Sequence, residues 1–101
     1  MDHFEAMSAF VTVAEQRSFS AAARRLQLST SAVTRLVAGL EERLGIRLLQ
    51  RTTRSVTLTD TGARYLDSAR RILSAVDEAD RSARAERTQP AGRFAVTAPN
   101  L

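Results

Sequence analysis

The sequence predicts a mainly α-helical protein with three short helices, a small β-hairpin and one long helix, in that order. Three observations support this fold class. Apolar residues recur at helical spacing in successive segments, and residues that favour helix ends stand between them. Two short runs rich in apolar and β-branched residues, typical of strands, precede a long segment with an apolar seam.

The first two helices are predicted over residues 2–16 and 19–27. The apolar face of the first consists of Phe4, Met7, Phe10, Val11 and Ala14. Arg17 and Ser18 interrupt this pattern, and Ser18 is a favourable N-cap for the second helix. The second helix is expected to turn inward Phe19, Ala22, Ala23 and Leu26.

The third helix is predicted over residues 30–44, after a tight connection at Leu28 and Ser29. Ser29 is a suitable N-cap, and Gly45 is placed where a glycine commonly ends a helix. The buried stripe of this helix consists of Val33, Val37, Leu40 and Leu44. The hairpin follows, with strands over residues 47–51 and 55–58 and a basic tip between them.

The long helix begins at Thr59 or Asp60 and continues to about residue 86. At ~1.5 Å per residue it spans about 40 Å, which is too long for the small core that precedes it. One face carries a seam with spacings of three and four, made of Tyr65, Leu66, Ala69, Ile72, Leu73, Val76, Ala79 and Ala83. Packing of this seam within its own chain is the alternative. We expect a homodimer instead, because the N-terminal core is too small to cover it.

Residues 88–92 contain Pro90 and Gly92 and indicate a hinge, and residues 93–98 resemble one strand. A single strand is not stable alone, so it is expected to begin a further domain. The predicted organisation is therefore a small N-terminal domain over residues 1–58, a linker and dimerisation helix over 59–87, and a hinge with that first strand over 88–101.

Positive charge is concentrated in the middle of the 101-residue chain, whose net charge is +4 and whose basic residues are all arginines. Residues 16–58 contain eight arginines and two acids, whereas residues 67–101 contain six arginines and five acids. This distribution indicates contact with nucleic acid. Any single arginine taken alone is better explained as a solvated surface charge. For Arg24 and Arg25, contact with a phosphate and pairing with a carboxylate are both open.

Other classes of function find little support in the sequence. Cysteine is absent, and His3 is the only histidine, with no partners spaced for a metal site or a catalytic base. We therefore expect no cofactor, no metal and no enzymatic activity. The chain also lacks a secretory signal and an apolar run of membrane length, which favours a cytoplasmic protein without a membrane partner.

The second and third helices form a predicted helix-turn-helix, in which the second helix of the pair enters the major groove of double-stranded DNA through its N-terminal residues. Those residues are Ser29, Thr30, Ser31, Thr34 and Arg35. Small hydroxyl side chains bind phosphates or bases, although capping and solvation also explain this run. The hairpin supplies a wing, with Arg51 and Arg54 beside its tip.

The ordered motifs resemble the N-terminal part of LysR-type transcriptional regulators. Matching segments are SFSAAARRL (18–26), LSTSAVTR (28–35), LEERLG (40–45) and LLQRTTRSVTLTDTG (48–62). Residues 92–100 (GRFAVTAPN) are similar to the opening strand of the family's effector-binding domain. The resemblance implies a winged helix-turn-helix with a linker helix, a dimeric regulator of promoter dyad DNA and tetramers at full length. A small-molecule inducer would bind only in the effector domain.

The resemblance also implies roles for particular residues. Recognition-helix roles fall on Thr30, Ser31, Thr34 and Arg35, wing roles on Arg51, Thr52 and Arg54, and DNA-backbone contacts on Gln27 and Ser29. The chain departs from the family at several of these positions. The family commonly has Gln-Pro where this chain has Thr30 and Ser31. It also commonly has Ser where this chain has Thr34, and a polar residue where this chain has Leu36. Leu36 either meets a thymine methyl or packs under the neighbouring helix.

A second function class stays open from the sequence. In it, the long helix is the functional surface of a protein-interaction module, and the winged domain has no specific DNA binding.

Overall fold

The computed structural model describes residues 2–52 and 55–87, and it confirms the predicted fold class. Its elements are the helices α1 (His3–Gln16), α2 (Phe19–Leu26) and α3 (Thr30–Leu44), the strands β1 (Leu49–Arg51) and β2 (Val56–Leu58), and the helix α4 (Asp60–Arg87). The chain divides into two compact units, Met1–Arg71 and Ile72–Leu101. The predicted wing residue Arg54 and the predicted hinge and strand within 88–101 lie outside the described residues.

Local capping explains where the three short helices begin. The side chains of Asp2, Ser18 and Ser29 accept hydrogen bonds from the first free backbone N–H groups of α1, α2 and α3. The Ser18 and Ser29 bonds, to Ala21 N and Ala32 N, are each 3.0 Å long. These short side chains satisfy backbone donors that a helix start leaves unpaired.

The helices end in left-handed backbone conformations, at Arg17 with φ of 55°, at Gln27 with φ of 59° and at Gly45 with φ of 73°. Gln27 lies in the tight turn between α2 and α3, where Leu28 N donates to the Ala23 carbonyl at 2.9 Å. The turn therefore fixes the geometry of the helix-turn-helix through backbone bonds.

The core of the first unit lies where α1, α2 and α3 pack against one another. Its largest fully buried side chains are Phe10, Leu40, Leu48, Val13, Val33 and Val37. Burial of each such side chain contributes about 1.5–3 kcal/mol to folding, so this apolar cluster holds the three helices together.

The two strands form an antiparallel hairpin in which Leu49 pairs with Leu58 and Arg51 pairs with Val56. The first strand is shorter than the predicted 47–51. Leu48 N, just before the strand, donates to the Glu41 carboxylate of α3 at 2.8 Å rather than to β2, and Leu49 N donates to the same oxygen at 3.0 Å. One α3 side chain thus anchors the start of the hairpin.

The junction between hairpin and α4 depends on Thr59. Thr59 N donates to the Leu48 carbonyl at 3.0 Å, and its hydroxyl donates to the Arg47 carbonyl at 2.8 Å. The same hydroxyl oxygen accepts a 2.8 Å bond from Gly62 N and so caps α4. Gly62 lies so close to the hairpin that a Cβ there would approach Leu48 O to 2.0 Å.

The structure corrects one expectation about the seam of α4. Leu66 and Ala69 are 8% and 1% exposed within the single chain, and the Tyr65 ring meets Phe10 edge-on with centroids 5.7 Å apart. This part of the seam therefore packs within its own chain, because it completes the core of the first unit. That packing also explains why the first unit extends beyond Leu58.

The exposed part of the seam lies in the second unit. Ile72 is 47% exposed and Val76 is 37% exposed, Leu73 is half-buried, and Ala79 and Ala83 are exposed.

We predict that Gly62→Ala destabilises the protein by about 3 kcal/mol, because the added methyl group overlaps backbone atoms of Leu48. Helix propensity alone predicts the opposite sign, a gain of about 1 kcal/mol. Urea denaturation measures the difference. Gly45→Ala is the control: it meets no atom within 4 Å, so it costs only the ~1–2 kcal/mol of left-handed backbone strain. A higher urea midpoint for Gly62→Ala than for wild type would contradict the close approach of Gly62 to the Leu48 backbone.

We predict that Glu41→Ala lowers the free energy of unfolding by about 2–3 kcal/mol, because it leaves two backbone N–H groups without their charged acceptor. Glu41→Gln should lose less, since one amide oxygen can replace the carboxylate oxygen that accepts both bonds. The neighbouring Glu42 is exposed, and Glu42→Ala should change stability by less than about 0.5 kcal/mol. Equal losses for Glu41→Ala and Glu42→Ala in urea denaturation would refute the anchoring role.

Candidate nucleic-acid interface

The N-terminal turn of α3 presents an exposed group of small polar side chains. Ser29, Thr30 and Ser31 are exposed, and no acidic residue lies in the first turn of this helix. The N-terminus of a helix carries a partial positive charge and unpaired N–H groups, which favour a phosphate or another anion. The small side chains allow close approach of such a ligand to the backbone.

Thr34 and Arg35 continue this surface one turn later, since residues separated by three or four positions share a helix face. Arg35 is exposed, and Thr34 is half-buried. The Thr34 hydroxyl donates to the Thr30 carbonyl at 3.0 Å, which leaves its oxygen as an acceptor. Arg35 therefore supplies the charged donors of this face.

A shallow groove runs beside the same helix. Its lining consists of Glu5, Leu28, Ala32, Arg35, Leu36, Ala38, Gly39 and Glu42. Leu36 is half-buried in this groove.

The wing places Arg51 at the end of β1, with its guanidinium carbon 4.3 Å from the centroid of the Phe19 ring. A cation at this distance from an aromatic ring is attracted by the ring's quadrupole. Thr52 N donates to Ser55 O at 2.9 Å, and Ser55 N donates to the Thr52 hydroxyl at 3.0 Å. These bonds hold both sides of the hairpin turn together.

Further exposed arginines and one glutamine lie on the neighbouring elements of the chain. Arg24 and Arg25 are exposed in the last turn of α2, Gln27 is exposed in the turn that follows, and Arg47 is exposed before the hairpin. Near the core, burial raises the pKa of the Tyr65 phenol, while the positive charge of Arg43 opposes part of that rise. Tyr65 is therefore a neutral packing residue at physiological pH.

Residues 2–52 and 55–87 contain no group of three or more His, Cys, Asp and Glu side chains arranged to hold a metal ion. In the same part of the chain, no helix has the length and apolar character needed to span a membrane.

Two site residues were missed from the sequence. Phe19 was predicted to face inward, and Glu41 was part of the LEERLG segment without an assigned role, yet they contact Arg51 and the hairpin backbone respectively. Their partners are distant in sequence, and helical periodicity carries no information about such pairs.

A helix-turn-helix, a hairpin wing and a following long helix define the class of winged helix-turn-helix proteins. Residues 4–63 match the family described as "Bacterial regulatory helix-turn-helix protein, lysR family". This match covers more than half of the chain, and the chain belongs to the LysR family.

Known transcriptional regulators are also similar to this chain in sequence. The chain is 45% identical over 92 residues to the HTH-type transcriptional regulator CrgA of Neisseria meningitidis serogroup B, covering 91% of this chain and 31% of CrgA. It is 47% identical over 91 residues to the regulator PtxR of Pseudomonas aeruginosa, covering 90% and 29%. The chain thus spans about three tenths of the length of these curated relatives.

Solved structures extend the comparison to DNA complexes. The BenM_DBD/catB site 1 DNA complex superposes with a TM-score of 0.81 at 32% identity, covering 89% of this chain and 99% of that one. Full-length CbnR complexed with its target DNA gives a TM-score of 0.75 at 39% identity, covering 84% and 29%.

Proposed function

We propose that this chain is the DNA-binding and dimerising part of a sequence-specific bacterial transcriptional regulator that acts in the cytoplasm. The exposed, acid-free N-terminal turn of α3, in a fold that also carries an arginine on its wing, supports this proposal. Similarity to BenM_DBD and CbnR, both solved with DNA, supports it. The protein needs no cofactor and catalyses no reaction in this role.

In this proposal α3 is the recognition helix and lies in the major groove. Arg35 forms paired hydrogen bonds to a base edge, while Thr30, Ser31 and Thr34 contact bases or phosphates over a short distance. Gln27 and Ser29 bind the DNA backbone at the start of the helix. Arg51, Thr52 and Arg54 of the wing contact the backbone or the minor groove.

The exposed seam of α4 pairs two copies of the chain. Ile72 and Val76 expose large apolar side chains, and the proposed contact continues through Leu73, Ala79 and Ala83. Tyr65, Leu66 and Ala69 do not take part in this pairing, because they pack the first turns of α4 against the core of the first unit. Two recognition helices related by a two-fold axis match a promoter dyad with half-sites about one helical turn or more apart.

The resemblance to full-length LysR-type regulators supports a further part of this proposal. We assign inducer binding and tetramer formation to an effector-binding domain outside this chain. A helix-mediated interaction module without specific DNA binding is the alternative that the following experiment separates.

We expect different effects from Arg35→Ala and Arg51→Ala in titrations with two duplexes, the upstream intergenic DNA and a mixed-sequence DNA. Arg35→Ala should reduce the preference for the intergenic duplex by about 1–3 kcal/mol, because it removes a base-edge interaction. Arg51→Ala should weaken binding to both duplexes and reduce the salt slope by about 0.9 for each phosphate that the protein no longer neutralises.

Arg84→Ala is the control, because it removes the same charge from the last turn of α4 and should leave both quantities unchanged. Wild-type binding that does not distinguish the two duplexes would sink the specificity claim. If both variants bind as wild type while partner binding persists, the interaction module is the better description.

We expect Ile72→Glu/Val76→Glu to convert the dimer to a monomer in sedimentation equilibrium, because two carboxylates would be buried in an apolar contact. Ser74→Glu/Arg81→Gln is matched in net charge and lies on the opposite face of the helix. That control should remain dimeric. An unchanged mass for Ile72→Glu/Val76→Glu would refute the seam as the interface.

A further inference from the structure

A contact between a cation and an aromatic ring joins the wing to the helix-turn-helix. The Arg51 guanidinium carbon lies 4.3 Å from the centroid of the Phe19 ring. Arg51 ends β1, and Phe19 is the first residue of α2. The contact therefore connects the wing to the helix that supports the recognition helix.

The Phe19 ring is held in place from its own side. It is half-buried, and its backbone lies between the Ser18 cap and Ala21 N, which donates to Ser18 Oγ at 3.0 Å. Ala22 and Ala23 of the same helix are 0% and 3% exposed, so α2 is fixed against the core. The Phe19 ring therefore has a defined position on α2.

The Arg51 side chain, in contrast, depends on this ring for its orientation. It is exposed, and neither ion pair found within residues 2–52 and 55–87 involves it, since these join Arg70 to Glu15 and Arg71 to Asp67. A guanidinium stacked on a ring keeps the five donors in its plane available to a ligand.

We propose that Phe19 is a positioning residue that holds the Arg51 guanidinium ready for a DNA phosphate. A long side chain loses conformational freedom when it binds, and a side chain that is already held loses less. Phe19 therefore increases affinity without touching DNA. This inference rests on the proposed role of Arg51, and the experiment separates failure of one from failure of the other.

The main test compares Phe19→Leu and Phe19→Tyr with wild type on a mixed-sequence duplex. Phe19→Leu keeps an apolar side chain but removes the ring, and it should weaken binding by about two- to fivefold for each protomer. Phe19→Tyr keeps the ring and should bind within about twofold of wild type, which is the smallest loss expected when the ring is removed. Phe4→Leu removes an aromatic ring that is 42% exposed on α1 and should have no effect.

A double-mutant cycle distinguishes positioning from a general structural effect. In an Arg51→Ala background, Phe19→Leu should cause no further loss of affinity, because there is no guanidinium to hold. The salt slope gives a second readout. Phe19→Leu should leave it unchanged, since Arg51 still reaches its phosphate, whereas Arg51→Ala should lower it.

Two measurements keep the test valid if Phe19→Leu impairs folding. Arg51→Lys leaves α2 intact and retains the charge but not the planar stack, and it should weaken binding by the same factor of about two to five. Proton NMR of the free wild-type protein should show ring-shifted resonances for the Arg51 side chain.

Each result that differs from these expectations shows which part of the proposal fails. Equal losses of affinity from Phe19→Leu with and without Arg51 would show that the ring serves only the fold. Tighter binding by Phe19→Leu would show that the ring holds Arg51 away from DNA. If Arg51→Ala leaves affinity unchanged, the proposed DNA role of Arg51 fails, and the positioning role fails with it. Weaker binding with Arg51→Ala but not with Phe19→Leu overturns the positioning role alone.

Discussion

The backbone of Leu48 is the point on which the rest of the first unit depends. Its N–H group donates to the Glu41 carboxylate of α3, and its carbonyl accepts from Thr59 at the start of α4. Its side chain is fully buried. Three elements that are separate in sequence therefore share one residue. Leu48 contributes only backbone atoms to these bonds, whereas α3 contributes the Glu41 side chain and the start of α4 contributes both the backbone and the hydroxyl of Thr59, so the junction depends on the identities of Glu41 and Thr59.

This junction explains how a small domain can present two binding surfaces in a fixed relation. The polar end of α3 is set by the Ser29 cap and the turn at Gln27, whereas the wing is set by Glu41 and by the stack of Arg51 on Phe19. The Glu41 bonds are partly buried, which strengthens their electrostatic component. The proposed recognition of DNA thus depends on elements that are ordered before a ligand arrives.

Much of the fold could be predicted because its signals are local. The bounds of α3 followed from Ser29 and Gly45, which lie next to the turns that they form, and helical periodicity located the apolar faces. The candidate site could be located by motif order, but its internal contacts could not. Phe19 and Arg51, like Glu41 and Leu48, meet only after the chain folds. The burial of Leu66 and Ala69 escaped prediction for a related reason, since a continuous seam does not show where one partner surface ends.

That division of the seam has a thermodynamic consequence. Leu66 and Ala69 close the core of the first unit with residues from one chain, whereas Ile72 and Val76 remain exposed in it. Folding of the first unit is then a unimolecular equilibrium, and association through the exposed residues is a separate, concentration-dependent one. Dilution shifts only the second equilibrium. A cell with few copies of such a protein would hold separated but folded protomers, and occupancy of a two-fold DNA site would vary with the square of their concentration rather than with the fraction folded.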